Sequence, residues 1–412
     1  GGWADPTHVF TGHYEGHYMS ALAMLYARYK NPADKAKMDA IVAGLAEVQT
    51  YLKSPGDNEG DPDVVRGYLS SFPETRFDTL ENHQYAAVPW YMIHKIMAGL
   101  LDIYRYGGNE QALELAEGMA SWAEWRMERL GDKAEEVLSY EEYGGMNEVL
   151  LNLYQITGKT EYQEMAGLFE ERARLFDDLA DGVDNLTGLH GNTYLAKVVG
   201  LARNYQITHD DYYRRAVENF WRFVVEDGRT YVNGGNTIWE NFGAPNTLSQ
   251  QLNGNTAETC NVYNLLKISR DAFGWSKDVK YLDYYEQGLL NQIMGSIVED
   301  GSKTYYQNMG VNQVMSWNDP FLNCACCNGT GLENFSKLND SLYFHDGSEL
   351  FVAQYIASRL TCDDQGAVIR MDGTYPYSDT VRLTFEEADG RERTLQLRIP
   401  AGADRYPVTY NG

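Results

Sequence analysis

Tyr18-Met19-Ser20-Ala21-Leu22-Ala23-Met24-Leu25-Tyr26-Ala27-Arg28-Tyr29 sets Leu22, Leu25 and Tyr26 at helical spacing, and Asn31-Pro32 then stops one helix and starts another. The second helix carries the same pattern over Ile41 to Leu52. Working outward to about Trp275, helices are expected near 85–106, 110–130, 144–157, 160–176, 190–206, 210–226, 257–273 and 277–295. Short polar turns join them, among them Gly107-Gly108-Asn109, Gly158-Lys159 and His209-Asp210. A long series of such αα-hairpins closes into a toroid or stacks into a solenoid. No fixed-period repeat favours the solenoid, so the expectation is a mainly α chain forming an incomplete α/α toroid.

The pattern changes near residue 300. Lys303 to Met309 and Gln313 to Trp317 read as a β-hairpin. Strands are expected over Ser341–Phe344, Glu349–Ile356, Ala367–Met371, Asp379–Phe385 and Arg393–Ile399, with Asp-Gly and Asp-Asp-Gln-Gly turns between them. These look like the opening part of a β-sandwich. The division expected is a helical domain over 1–338, including the hairpin near 303–317, and an incomplete β-sandwich domain over 339–412.

The 412 residues are 43% hydrophobic and 13% aromatic, enough for a large core. The formal charge of −25 argues against nucleic acid and anionic membranes, which attract basic surfaces. Neutral small molecules or glycans fit better. The 31 tyrosines and eight tryptophans offer faces for sugars, although aromatics fill helix interfaces too. No apolar run reaches the roughly 20 residues of a membrane span, and no signal segment opens the chain. The sequence starts on Gly1-Gly2-Trp3 directly before a helical pattern and stops on Pro407-Val408-Thr409-Tyr410-Asn411-Gly412, a strand entering a turn. Truncation at both ends is therefore expected. An odd number of cysteines, several adjacent, favours a reducing compartment, and a cytoplasmic location is the expectation.

Chemistry concentrates at four of the five cysteines. Cys260 follows Glu258 in Glu258-Thr259-Cys260, and Cys324, Cys326 and Cys327 share Cys324-Ala325-Cys326-Cys327. Adjacent cysteines scarcely bridge one another without strain, and zinc favours thiolate-rich pockets. Residues two apart in a helix point to opposite sides, so Glu258 joins Cys260 on one ion only from the loop before the helix. Thr256 or Thr259 as N-cap would permit this. Cys326 and Cys327 need a sharp turn to converge, and Asn328-Gly329-Thr330-Gly331 offers one. The expected metal ligands are Glu258, Cys260, Cys326 and Cys327, with Cys324 a neighbour. Inert buried thiols and a purely structural zinc remain alternatives on spacing alone.

Glu240, in Gly234-Gly235-Asn236-Thr237-Ile238-Trp239-Glu240-Asn241-Phe242, lies between Trp and Phe. An apolar setting there would raise its pKa, as a general acid requires; an exposed loop glutamate is the other reading. His13 and His17 occupy one helix face in Gly12-His13-Tyr14-Glu15-Gly16-His17. The glutamate of the zinc-protease pattern is missing, which leaves sugar contacts or satisfied core histidines. His94 and His190 could line a polar pocket or sit in the core.

Taken together these stretches resemble the β-L-arabinofuranosidases of glycoside hydrolase families 127 and 146. The likeness runs through Gly12–Ala21, Val88-Pro89-Trp90-Tyr91 with His94-Lys95, Glu142-Tyr143-Gly144-Gly145-Met146-Asn147-Glu148 and His190-Gly191-Asn192-Thr193. It continues through Gly234–Phe242, Glu258-Thr259-Cys260-Asn261 and Cys326-Cys327-Asn328-Gly329-Thr330-Gly331-Leu332-Glu333-Asn334. The order is kept, and Glu-Thr-Cys followed by a distant Cys-Cys is the most specific element. The resemblance implies an (α/α)6-type barrel followed by β-sandwich modules, with the first helices absent here. It implies a retaining glycosidase that releases L-arabinofuranose from plant-type or bacterial oligosaccharides, with Zn2+ as cofactor. In that reading Cys326 matches the nucleophile, Glu240 the acid/base, and Glu258, Cys260 and Cys327 the remaining metal ligands. His94, more loosely His190 and Tyr306, and His13 and His17 would contact substrate. Where some members carry a pocket histidine this chain has Gly144-Gly145, so subsite contacts are expected to differ. The rival readings are an α/α-barrel glycosidase using a carboxylate pair beside a structural zinc, and a non-catalytic glycan-binding module.

Overall fold

The computed structural model describes residues 2–52, 67–319, 322–364, 366–403 and 406–411. Its helices are α1 (His13–Tyr29), α2 (Pro32–Leu52), α3 (Thr75–Glu81), α4 (Pro89–Gly107), α5 (Glu110–Leu130), α6 (Ala134–Leu138), α7 (Met146–Thr157), α8 (Thr160–Leu168), α9 (Asp177–Ala180), α10 (Gly191–Thr208), α11 (Asp211–Val225), α12 (Thr259–Ser276), α13 (Val279–Gln287) and α14 (Cys326–Ser336). The strands are β1 (Lys303–Thr304), β2 (Trp317–Asn318), β3 (Tyr343–Asp346), β4 (Glu349–Val352), β5 (Ser358–Cys362), β6 (Ala367–Asp372), β7 (Arg382–Ala388) and β8 (Thr394–Leu397). The molecule is mainly helical, as the spacing of apolar residues foretold.

The polar turns are closed by left-handed residues and side-chain caps. Gly108 takes φ 64° and returns its N–H to Tyr104 O, ending α4; Asn109 then accepts from Ala112 N to cap α5. His209 (φ 56°) ends α10, and Asp210 caps α11 through Tyr212 N. Two expected helices end early: 160–176 breaks after Leu168 and resumes as a π-turn at Arg172–Phe176, and 277–295 loosens into a π-turn at Gly288–Ile293.

Two compact units emerge. The first comprises Gly1–Ile268 and Gly288–Lys337; the second comprises Ser269–Gln287 and Leu338–Gly412. Near Leu338 the chain passes from one unit to the other, but the second also takes in the end of α12 and all of α13, which pattern reading assigned to the helical part. In the first unit α1 and α4 lie almost backbone to backbone. A Cβ on Gly16 would fall 2.1 Å from Lys95 O, and one on Gly99 would fall 2.7 Å from Gly16 O. Met19, Trp90, Met97, Met119, Trp122 and Leu150 belong to the apolar core this packing closes. β1 and β2 pair antiparallel, a shorter hairpin than expected.

In the second unit the sheets run β3-β4-β8, with β4 and β8 parallel, and β5-β6-β7. Leu350 and Leu395 from one sheet meet Leu360, Ala367, Ile369 and Leu383 from the other, which makes a small sandwich. β5 was not anticipated. Its alternation is weak, with only half-burial at Ser358, Leu360 and Cys362.

Candidate active site

The sulfur cluster is assembled from one loop and two helix starts, all within the first unit. Ala257–Thr259 runs as a single strand-like step beside Tyr305–Gln307: Glu258 bridges Tyr306, Thr259 N–H donates to Tyr305 O and Gln307 N–H donates to Ala257 O. Glu258 therefore stands in the loop and Cys260 on the first turn of α12, the arrangement their spacing demanded. Neither threonine acts as proposed. Thr256 Oγ1 serves Asn253 O and Met309 N, and Thr259 Oγ1 accepts from Lys303 Nζ at 2.8 Å.

The sharp turn expected at Asn328-Gly329-Thr330-Gly331 is absent, because this segment is the body of α14. Cys326 and Cys327 converge instead as the first two residues of that helix. Its glycines serve close packing: a Cβ on Gly329 would meet His17 Cδ2 at 2.2 Å, and one on Gly331 would meet Lys303 Cε at 2.4 Å.

Glu258, Cys260, Cys326 and Cys327 are all buried, and their donor atoms lie within 4.8 Å of one another. Cys260 Sγ is 3.1 Å from Cys327 Sγ, and Cys327 Sγ is 3.8 Å from Glu258 Oε1. Glu258 Oε2 is buried with no hydrogen-bond partner. Cys324, buried with φ 51°, stands outside the cluster.

Four acidic groups cannot all ionise in such a space. Burial, then the Cys327 charge, pushes Glu258 well above the carboxylate range, and burial with the neighbouring thiols raises Cys260. Cys327 alone is pulled down: burial opposes its anion, but hydrogen bonds from Cys260 and Cys326 and the charge of Lys303 outweigh it. Lys303 is itself buried. A divalent cation would release the remaining protons. The donor set suits one, since three sulfurs and one oxygen make a zinc-type shell, and tetrahedral bonds of ~2.3 Å place sulfurs about 3.8 Å apart. The orphaned Glu258 Oε2 is the atom such an ion would satisfy.

The second half of the site is the Glu240 loop. Thr237 (φ 76°), Trp239 (φ 48°) and Glu240 (φ 65°) are all left-handed, a costly run for non-glycine residues. It is held by Trp239 N–H to Asn255 O, Ala257 N–H to Thr237 O, Gly191 N–H to Glu240 O, and Asn261 Nδ2 to Thr237 Oγ1 at 2.9 Å.

The expected apolar setting for Glu240 is wrong. Trp239 is 61% exposed, turning its ring to solvent instead of over the acid. Glu240 Oε2 lies 3.0 Å from His190 Nε2, and Oε1 accepts from Tyr306 OH at 2.9 Å. Burial raises its pKa, but His190, Tyr305 and Tyr306 lower it further, to about 2. His190 moves the opposite way: burial depresses it, but Glu240 and Glu142 together raise it above its ordinary value. Thr193 continues the line, its hydroxyl 3.0 Å from His190 Nδ1 and donating to Glu142 Oε2 at 2.5 Å.

Adjacent tyrosines connect the halves. Tyr305 OH is 3.1 Å from Cys326 Sγ, while Tyr306 OH is on Glu240, and their ring centroids are 4.8 Å apart. Sequence reading missed Tyr305, although its adjacency to Tyr306 was the available signal. His94 lines a cleft with Tyr91, Lys95, Glu142, Asn192 and Asn264. His94 also explains Gly144: a Cβ there would lie 2.4 Å from its Nδ1, so the histidine already occupies that space. Glu142, in the cleft and in line with His190, was another omission.

His13 and His17, expected as substrate contacts, lie inside the helical packing. Both are fully buried, His13 Nδ1 on Phe10 O at 2.9 Å and His17 Nδ1 on Glu333 Oε1 at 2.5 Å. Shared spacing on one helix face put them together, but that face is covered by α4 and α14.

The family model for the β-L-arabinofuranosidase GH127 catalytic domain matches residues 1–340, and that for the GH127 middle domain matches 349–412. No curated protein matches the chain. Among solved structures, the GH127 β-arabinofuranosidase BT3674 is similar at TM-score 0.71 and 20% identity, over 93% of this chain and 61% of that one. The GH127 β-L-arabinofuranosidase Ara127N from Geobacillus stearothermophilus T6 is similar at TM-score 0.69 and 20% identity, over 95% and 66%. A glycoside hydrolase is similar at TM-score 0.75 and 18% identity, over 97% and 68%. The chain thus spans less than two thirds of the first two structures. At these identities the likeness establishes the fold alone, of the α/α-barrel type.

Proposed function

Because the chain belongs to the β-L-arabinofuranosidase family GH127, we propose that it is a retaining glycoside hydrolase releasing L-arabinofuranose from β-L-arabinofuranosides. Cys326 is its nucleophile and Glu240 its acid/base. The observation that carries this reading is the tyrosine pair, with one hydroxyl on the Cys326 sulfur and the next on the Glu240 carboxylate. A nucleophile and a proton donor on either side of an anomeric carbon are what retaining hydrolysis requires.

Zn2+ held by Glu258, Cys260, Cys326 and Cys327 would keep the Cys326 sulfur ionised and make it a better leaving group. The sugar enters the cleft lined by His94, Asn192 and Asn264, whose polar groups suit its hydroxyls. Cys326 Sγ bonds to the anomeric carbon as the bond to the leaving oxygen breaks. That oxygen takes a proton from Glu240. Water then attacks the same carbon, gives a proton back to Glu240, and the carbon–sulfur bond breaks with its electron pair returning to Cys326.

In the free protein the proton rests on His190, because the pair favours imidazolium beside carboxylate. His190 Nε2 passes it to Glu240 when the leaving oxygen develops charge. His190 Nδ1 accepts from Thr193 N–H at the start of α10 and lies beside the Thr193 hydroxyl, itself bonded to Glu142, which turns Nε2 toward Glu240. Tyr305 OH, within hydrogen-bond reach of the Cys326 sulfur, helps to orient it. The natural substrate is proposed to be an arabinofuranose-containing oligosaccharide.

A panel of nitrophenyl furanosides tests the reading, with zinc measured on the same sample and the product anomer followed by proton NMR. Cleavage of the β-L-arabinofuranoside with retention is expected. Inversion would remove Cys326 from the nucleophile's role.

A further inference from the structure

The two halves of the sulfur cluster come from different helices, and nothing in either helix alone fixes the gap between them. One turn beyond Cys260 on α12, on the same face, is Tyr263; two turns beyond Cys326 on α14, again on the same face, is Glu333. Tyr263 OH donates to Glu333 Oε2 across this gap. The other carboxylate oxygen, Oε1, takes His17 Nδ1 from α1. Thus both oxygens of one buried carboxylate are engaged by two different helices, one turn along from Cys260 and two from Cys326.

The arrangement is costly. Glu333, Tyr263 and His17 are 5, 4 and 0% exposed, and burying an ionised carboxylate is expensive unless it is fully bonded. Burial raises Glu333, yet His17 and Lys95 hold it well below the ordinary range, so it is an anion. His17 stays neutral, pushed down to about 4 by burial, and donates a proton it does not lose. Its other nitrogen, Nε2, has no partner. Gly329 yields the room for the ring, since any Cβ there would collide with it. An apolar trio would pack α1, α12 and α14 at less cost, but it would not fix their spacing through directed bonds.

We propose that Tyr263, Glu333 and His17 form a positioning clamp that sets the separation between Glu258–Cys260 and Cys326–Cys327, and with it the direction of the Cys326 sulfur. The inference rests on the cysteine-nucleophile reading for its consequence in catalysis, but not for its consequence in metal binding. None of the three is among the four residues that would hold the ion. Outer-shell partners of this kind typically contribute about 10- to 100-fold in metal affinity or activity.

Tyr263→Phe removes a single oxygen and is the primary test; Glu333→Gln, which keeps shape and one acceptor, is the second. Expected for Tyr263→Phe is zinc surrendered to a competing chelator at roughly tenfold lower chelator concentration. The cobalt-substituted protein should show shifted sulfur-to-metal absorption, and kcat should fall with KM unchanged. Glu333→Gln should show a larger loss of the same kind. A lower melting temperature with wild-type chelator competition, cobalt spectrum and kcat would overturn the clamp and leave a merely structural bond. If Cys326→Ser remained active while Tyr263→Phe still loosened the ion, the clamp would stand and the nucleophile assignment would fall.

Discussion

Around Cys327 the protein shuts water out, whereas around Glu240 it lets water in. Glu258, Cys260 and Cys327 are at most 1% exposed, while the side chains of Glu240 and His190 are 29 and 36% exposed. Both sides contain more acid than neutral protein tolerates, and they resolve it differently. On the sealed side burial and neighbouring anions favour the protonated forms of Glu258 and Cys260, while the charge of Lys303 favours the thiolate at Cys327. The open side sets its carboxylate against an imidazole, which lowers the pKa of Glu240 and raises that of His190. Burial alone does not decide a pKa; what stands beside the buried group does. The sealed side suits a nucleophile whose charge must be kept, and the open side suits a group that exchanges protons with solvent.

The sharpest way to break this contrast is Cys326→Ser. Turnover is expected to fall to background while the fold survives and most of the zinc remains, read by circular dichroism and metal content. Activity near wild type would move bond-making away from the sulfur side. Loss of fold together with zinc would favour a structural cluster.

On the open side, Glu240→Gln should reduce hydrolysis of poor leaving groups by about a hundred- to ten-thousandfold, the usual worth of a general acid. Nitrophenyl glycosides, which need little protonation, should lose much less. Equal losses on both substrates would withdraw Glu240 from the acid's role.

His190→Gln gives the smaller and more diagnostic effect. In the wild type the pair holds its proton from about pH 2 up to the raised His190 value, and rate declines as pH passes above it. Without the imidazole the proton must sit on Glu240 itself, whose pKa rises from about 2 but stays in the carboxylate range. The alkaline limb of kcat/KM should therefore move to lower pH, with several-fold less activity at neutrality. An unmoved limb would mean that the proton is not stored on His190.

Much of the helical unit was legible because its signals are local. Asn109 and Asp210 each act on an N–H two or three residues away, and Gly108 needs only its own φ. The grouping of Glu258 with Cys260 followed from helix geometry and the loop before it. The Glu240 environment was not legible, because Trp239 next to it in sequence faces solvent while His190 and Tyr306, 50 and 66 residues away, set its charge. His13 and His17 failed for a related reason: spacing shows that two residues share a face, but not what covers it. β5 was lost where half-buried residues blur the alternation.

By itself the sequence determined the helical repeat, the turn to strands near residue 300, and which four residues carry sulfur or carboxylate at metal-binding spacing. Those properties reside in neighbours along the chain, where backbone geometry dictates direction. Only the tertiary structure decided that Cys326 and Cys327 open a helix, that Tyr305 and Tyr306 link sulfur to carboxylate, and that His190 stands against Glu240. Each of these depends on which distant groups come within hydrogen-bond reach, and in a low-dielectric pocket that proximity sets charge more strongly than residue type does.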